Sequence, residues 1–192
     1  MDLSLEDNIF SKSIYFFRIG DLRIWEAAAS IDDQLFQKLL DLTASTEPLL
    51  AWRSAWILDL LLERNPEWIK NRLHLLLIPL LTTENSSLQR HLTRILTRHE
   101  VPEVFLAKLI DRCLVLIETS KAVAVRVNSL QLLYNISLQV PEFKSELTLV
   151  IESYRLKGGS AGLINRLENI SRKLLIHKQA EEGTREDTPN SN

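Results

Sequence analysis

The sequence predicts an all-α chain built from successive helix pairs, and three observations carry that prediction. Leucine fills 37 of the 192 positions while glycine and proline number only 5 and 6, a composition that favours helices over sandwiches, barrels or glycine-rich nucleotide folds. Apolar residues recur with helical spacing, as in Leu88, Leu92, Ile95 and Leu96, and no stretch sustains a period of two. Finally, an apolar residue followed by arginine, or by a polar residue and then arginine, returns at Arg53, Arg90, Arg126 and Arg166. Those steps are 37, 36 and 40 residues, and Pro66, Pro102 and Pro141 keep nearly the same pace.

Taken in order, four pairs can be drawn: 31–44 with 48–64, 66–81 with 85–99, 102–119 with 121–139, and 141–157 with 160–177. Pro48, Pro66, Pro102 and Pro141 each open an apolar run, and proline suits a first helical turn, where its missing N–H is no loss. Six residues before each arginine stands a turn or cap residue, namely Glu47, Glu84, Ser120 and Ser160. Lys157-Gly158-Gly159-Ser160 reads as a helix stop followed by a new cap. Residues 178–192 are polar and are expected to form a disordered tail. Residues 1–30 fall outside the register. Their apolar residues (Ile9, Phe10, Ile14, Phe16, Phe17, Ile19, Leu22, Ile24 and Trp25) are expected to form a helical cap over the first pair, the alternative being an exposed patch for a partner.

The repeat, clearest at Ala124-Val125-Arg126, resembles the HEAT-repeat family over residues 31–177. Where family repeats usually carry an aspartate in the turn before the second helix, this chain has Glu or Ser. The resemblance implies a right-handed α-solenoid of about four pairs, with the second helix of each pair lining a concave surface. The physics points the same way, because a single pair of this length cannot bury its apolar face and stacking makes a continuous core.

Net charge is −2, which by itself favours neither nucleic acid nor membrane. The distribution is uneven: the second helices hold ten Lys and Arg against three Asp and Glu, and the first helices eight against ten. Arg90, Arg94 and Arg98 form a stripe at i, i+4, i+8 with no acid in their own helix. Like charges at that spacing repel by a few tenths of a kcal/mol per pair unless offset, either by acids of neighbouring repeats or by an external anion. Arg90, Arg94, Arg98 and Arg126 are therefore the candidate partner-binding residues, and the expected function is a non-enzymatic scaffold binding an acidic protein partner. The alternative is a nucleic-acid-binding solenoid. Its catalytic version would resemble the HEAT-like DNA alkylation-repair glycosylases, because Trp52, Trp56 and Asp59 share one helix face. Packing in the core is the simpler reading of those tryptophans.

No catalytic, cofactor or metal site is expected. His74, His91, His99 and His177 are scattered out of ligand register, Cys113 lies in an apolar helix and reads as a core thiol, and the glycines at 158–162 lack the lysine of a phosphate loop. The acidic N-terminus does not read as a secretory or transit peptide, and the longest apolar run, residues 73–81, is about half a membrane span. The expected compartment is the cytoplasm. Partner identity and oligomeric state are not written in the sequence.

Overall fold

A computed structural model describes the backbone of residues 5–186 and the side chains of residues 9–176. Among the described residues the chain is entirely helical. Its ten α-helices are α1 (Leu5–Tyr15), α2 (Leu22–Ile31), α3 (Asp33–Leu42), α4 (Pro48–Arg64), α5 (His74–Thr82), α6 (Ser86–Leu96), α7 (Glu103–Thr119), α8 (Val123–Gln139), α9 (Phe143–Lys157) and α10 (Ala161–Glu186). Two short 3-10 turns, Ile19–Asp21 and Pro66–Ile69, precede α2 and α5. The chain forms two compact units, residues 1–112 and 113–192, and the dividing point falls within α7.

Local chemistry sets the helix ends. The Asp32 carboxylate accepts from the Gln34 N–H at the start of α3 (2.9 Å), Glu47 from the Leu49 N–H at the start of α4 (3.3 Å), and Asn85 from the Ser87 and Leu88 N–H groups at the start of α6 (3.0 and 3.2 Å). The cap of α6 is thus Asn85 rather than the expected Glu84. Gly158 ends α9 at φ +72° and ψ −166°, backbone that is essentially glycine-only. Pro48 occupies the first turn of α4, whereas Pro102 and Pro141 stand just outside the helices that follow them.

The first helix of the second pair differs most from its expected span of 66–81. Only residues 74–82 are α-helical, and Pro66–Ile69 is a separate 3-10 turn. Arg72 explains the break. Its N–H bonds to Ile69 O at 2.7 Å, three residues back, while its guanidinium takes the Trp68 carbonyl (3.0 Å) that a continuous helix would have used. The same group bonds Asp33 at 2.8 Å and lies 4.9 Å from the Phe36 ring, so the break is pinned to α3. At the other end α10 runs to Glu186, so the tail expected to be disordered from 178 begins as helix. Residues 187–192 lie outside the described residues.

In the first unit, α4 packs on α3 and α6, α5 on α3 and α6, α2 on α3 and α4, and α1 on α4. The core holds Leu39, Leu40, Ile57, Leu58, Leu61, Leu62, Leu76, Leu77, Leu92 and Ile95. In the second unit α8, α9 and α10 pack on one another around Leu130, Leu133, Ile136, Leu147, Leu163 and Leu167. Cys113 is buried there, as its apolar neighbours suggested.

The sequence period reappears as the separation of residues bonded across helices. Arg64 bonds Glu26, Asn85 bonds Pro48 O, Arg98 bonds Asp59, Tyr154 bonds Glu118 and Arg166 bonds Gln131, over 38, 37, 39, 36 and 35 residues. Glu26 therefore sits one period before Arg64. The N-terminal segment is in register through its contacts, although its own sequence shows no repeat motif. The first thirty residues divide between the two expectations. Ile14, Phe17 and Leu22 are buried, with Phe17 edge-on to Trp56 at 5.0 Å, whereas Ile9, Phe16, Ile19 and Ile24 are exposed.

Candidate functional site

The α4–α6 contact is organised around one carboxylate. Asp59 interrupts the apolar run Ile57-Leu58-Asp59-Leu60-Leu61-Leu62 of α4 and is 0% exposed. A carboxylate removed from water needs charge-assisted partners, and α6 with the turn that follows it supplies three. Arg98 donates to Oδ1 at 2.7 Å and to the Asp59 carbonyl at 3.2 Å, His91 Nδ1 lies 3.0 Å from Oδ2, and Arg94 lies 3.5 Å from the same oxygen. A carboxylate only accepts, so Nδ1 of His91 carries the hydrogen. Arg94 extends further to Glu63 at 3.0 Å.

These contacts answer the question of what offsets the arginine stripe of α6: for Arg94 and Arg98 it is acids of the preceding repeat. The stripe remains at the surface all the same. Arg90 is exposed and the Arg94 side chain is 40% exposed, while Leu88, Leu92 and Ile95 on the opposite face are buried. Burial, then the charge of Arg98, pushes half-buried His99 below the ordinary histidine range.

The fourth candidate, Arg126, lies in the second unit and turns inward, its Nε donating to Ile117 O at 2.7 Å near the end of α7. Arg53 behaves alike, its Nη1 lying 3.4 Å from both Ile14 O and Phe17 O at the end of α1. Arg112 does the same at the end of α5, with bonds to Leu80 O, Thr83 O and Glu84. These guanidinium groups satisfy carbonyls that a helix C-terminus leaves without internal partners, and their charge complements the helix dipole.

The tryptophans are neither fully buried nor gathered around an open aspartate. Trp52 and Trp56 stack at 6.2 Å and are half-buried on α4, Arg53 lies 5.2 Å from the Trp52 ring, and Trp25 and Trp68 are also half-buried. For Trp52 and Trp56 the expectation of packing in the core is corrected to the margin of the core. Asp59, engaged at both oxygens and without exposed surface, has no face to offer a substrate. Among the described residues no group of three or more His, Cys, Asp and Glu is placed to hold a metal ion, and no helix is long and apolar enough to cross a membrane.

The arginine pattern, the period of the bonds and the paired helices all describe one architecture, and the sequence matches the HEAT repeat domain family over residues 18–174. The chain belongs to the HEAT repeat domain family. Comparison with curated proteins and with solved structures gives no significant match. The all-helical build is that of a HEAT-type α-solenoid, and HEAT repeats generally act as protein-interaction scaffolds. The family match begins at residue 18, so it takes in the 3-10 turn at Ile19 and α2 as well as the four pairs read from the sequence.

Sequence reasoning weighed Asp59 only as a catalytic analogue and missed its role as the anchor of Arg94, Arg98 and His91. The signal was present: a single acid inside an apolar run, 35 and 39 residues before two arginines of a 36–40 residue repeat.

Proposed function

We propose that this HEAT repeat protein is a non-enzymatic scaffold that binds an acidic protein partner on the α6 stripe. The observation supporting this reading is that Asp59 holds Arg94 and Arg98 from below while Arg90 and Arg94 stay solvent-accessible. Arg94 is held by Asp59 and Glu63 and Arg98 by Asp59, with Arg90 exposed one turn before Arg94. Guanidinium groups held in place lose little freedom on meeting a carboxylate, and their planar donors match it in pairs. Arg126 belongs to a separate, structural group in this reading, because its Nε is committed to a helix end.

Affinity capture tests it, with partners identified by mass spectrometry at about 50 and 300 mM salt. Arg90→Glu is the informative variant, since Arg90 is exposed and lies outside the Asp59 cluster. Acidic partners held by the unmodified protein should be lost in Arg90→Glu and at the higher salt, with the circular dichroism unchanged. Partners retained in both would remove the stripe from the function. A labelled 20-base-pair duplex measured alongside at low salt separates the nucleic-acid alternative, which requires steeply salt-dependent binding.

A further inference from the structure

A second stripe runs beside the arginines. Trp52, Trp56 and Leu60 are spaced i, i+4, i+8 on α4 and are all half-buried, covering about 12 Å of helix. Asn85 bonds the start of α4 and Arg98 bonds Asp59 further along, so α4 and α6 run parallel and the two stripes lie side by side. Leu60 opens into a cavity of about 440 Å³, whose apolar lining is Ile19, Leu22 and Leu60 and whose rim carries Arg23, Glu63 and Arg64. That volume falls in the usual range for a ligand pocket. Ile19 stands two-thirds exposed at its edge (66%), on the 3-10 turn that separates α1 from α2. The one acid of the rim, Glu63, is already bound by Arg94, and Glu26 beside it by Arg64 and Asn65. Arg23, Arg64, Arg94 and Arg98 thus outnumber by one the acids around them, Glu26, Asp59 and Glu63.

We infer that this groove receives an amphipathic helical segment of the partner. One large apolar side chain enters the Leu22–Leu60 cavity, further apolar residues lie on Trp56 and Trp52, and an acidic edge meets Arg90 and Arg94. The inference rests on the scaffold reading and gives the partner a chemistry: an acidic amphipathic helix docked helix-in-groove. The arguments for that occupant are the adjacency of an apolar and a cationic stripe and the positive surplus at the cavity rim.

The probe is a 16-residue random peptide library displayed on phage, panned against the full chain, with recovered peptides synthesised and their affinities measured by fluorescence anisotropy. Recovered peptides should carry acidic residues beside apolar residues at helical spacing. They should bind at least tenfold more weakly to Ile19→Glu, whose site is exposed and tolerant, and to Leu60→Ser, each checked for unchanged helicity. Peptides weakened by Arg90→Glu but by neither cavity variant would overturn the cavity and leave the arginine stripe standing. Peptides weakened by the cavity variants but not by Arg90→Glu would keep the cavity and overturn the acidic-partner reading. Recovery of no saturable peptide overturns the inference, and so does light scattering that shows a dimer dissociated by Ile19→Glu, because the occupant would then be a second copy of the chain.

Discussion

The α4–α6 and α8–α10 contacts join successive second helices of the repeat with different chemistry. In the first unit the link is ionic: a fully buried Asp59 held by Arg98, His91 and Arg94. In the second a neutral amide takes the carboxylate's place: Gln131 Oε1 of α8 accepts from Arg166 of α10 at 2.6 Å, while its Nε2 donates to Asn135 Oδ1 within α8 at 2.8 Å. The repeat fixes where the arginine contact falls, 35 and 39 residues from Asp59 in the first unit and 35 from Gln131 in the second. It leaves the side-chain type free. The ionic link of the first unit leaves Arg94 partly exposed beside the exposed Arg90. The first unit is for that reason the one proposed to meet an acidic partner.

Removing each link should break the comparison most sharply. Asp59→Ala leaves Arg98 and His91 in low-dielectric surroundings without their anion, and a loss of about 3–5 kcal/mol is expected. All four tryptophans, at 25, 52, 56 and 68, lie in the first unit. Tryptophan fluorescence in a urea titration therefore reports that unit, and an unchanged midpoint would show that the cluster contributes nothing to it. Gln131→Ala removes one charge-assisted bond and should lower stability by about 1.5–3 kcal/mol, read by far-ultraviolet dichroism. A loss equal to that of Asp59→Ala would erase the distinction between the two links. Gly158→Ala forces a side chain into backbone essentially reserved for glycine and should cost about 1–3 kcal/mol, although the new methyl group meets no atom within 4 Å. A neutral result would mean that the α9–α10 turn relaxes freely.

The finest contrast is in pH. His99, in the first unit, has its pKa lowered by burial and by Arg98, so the folded state holds fewer protons than the unfolded one. Its contribution to stability is present above the ordinary value of 6.5 and is lost as pH falls below it through the lowered folded pKa. His99→Gln should flatten that acid limb of the tryptophan-detected midpoint. Tyr154, in the second unit, is pushed up to about 12 by burial and by its hydrogen bond to Glu118. Its contribution is complete below pH 10 and fades between 10 and about 12, so Tyr154→Phe should remove part of the alkaline loss. Equal acid and alkaline limbs in both variants would show that neither group drives its limb.

How much of this was legible in the sequence follows from the range of the interactions. The pair boundaries were readable because helix periodicity and caps are local: α4 was placed at its observed ends, and α7 to α9 began within two residues of theirs. The break at Arg72 was not readable, since it depends on a guanidinium reaching both its own turn and Asp33 on another helix. The N-terminal segment was set aside for lack of a motif, yet Glu26 and the Ile14 carbonyl stand one period before the groups they bind. The stripe of Arg90, Arg94 and Arg98 was found from spacing alone, but its anchor was not, because an aspartate in an apolar run has no meaning until its partners a repeat later are brought alongside. Arg126 illustrates the converse: a repeat arginine that looks available in one dimension is committed to a carbonyl nine residues away.

The arginines that close helix ends also impose an order on synthesis. The terminal carbonyls of α1 await Arg53, and those of α5 await Arg112. As the chain leaves the ribosome, the ends of α1 and α5 emerge roughly 30 to 40 residues ahead of the side chains that complete them, a delay of seconds at ordinary elongation rates. Until then those ends are exposed to water and to fraying. The growing solenoid therefore carries an unfinished margin that moves forward with translation and is sealed each time the next arginine arrives.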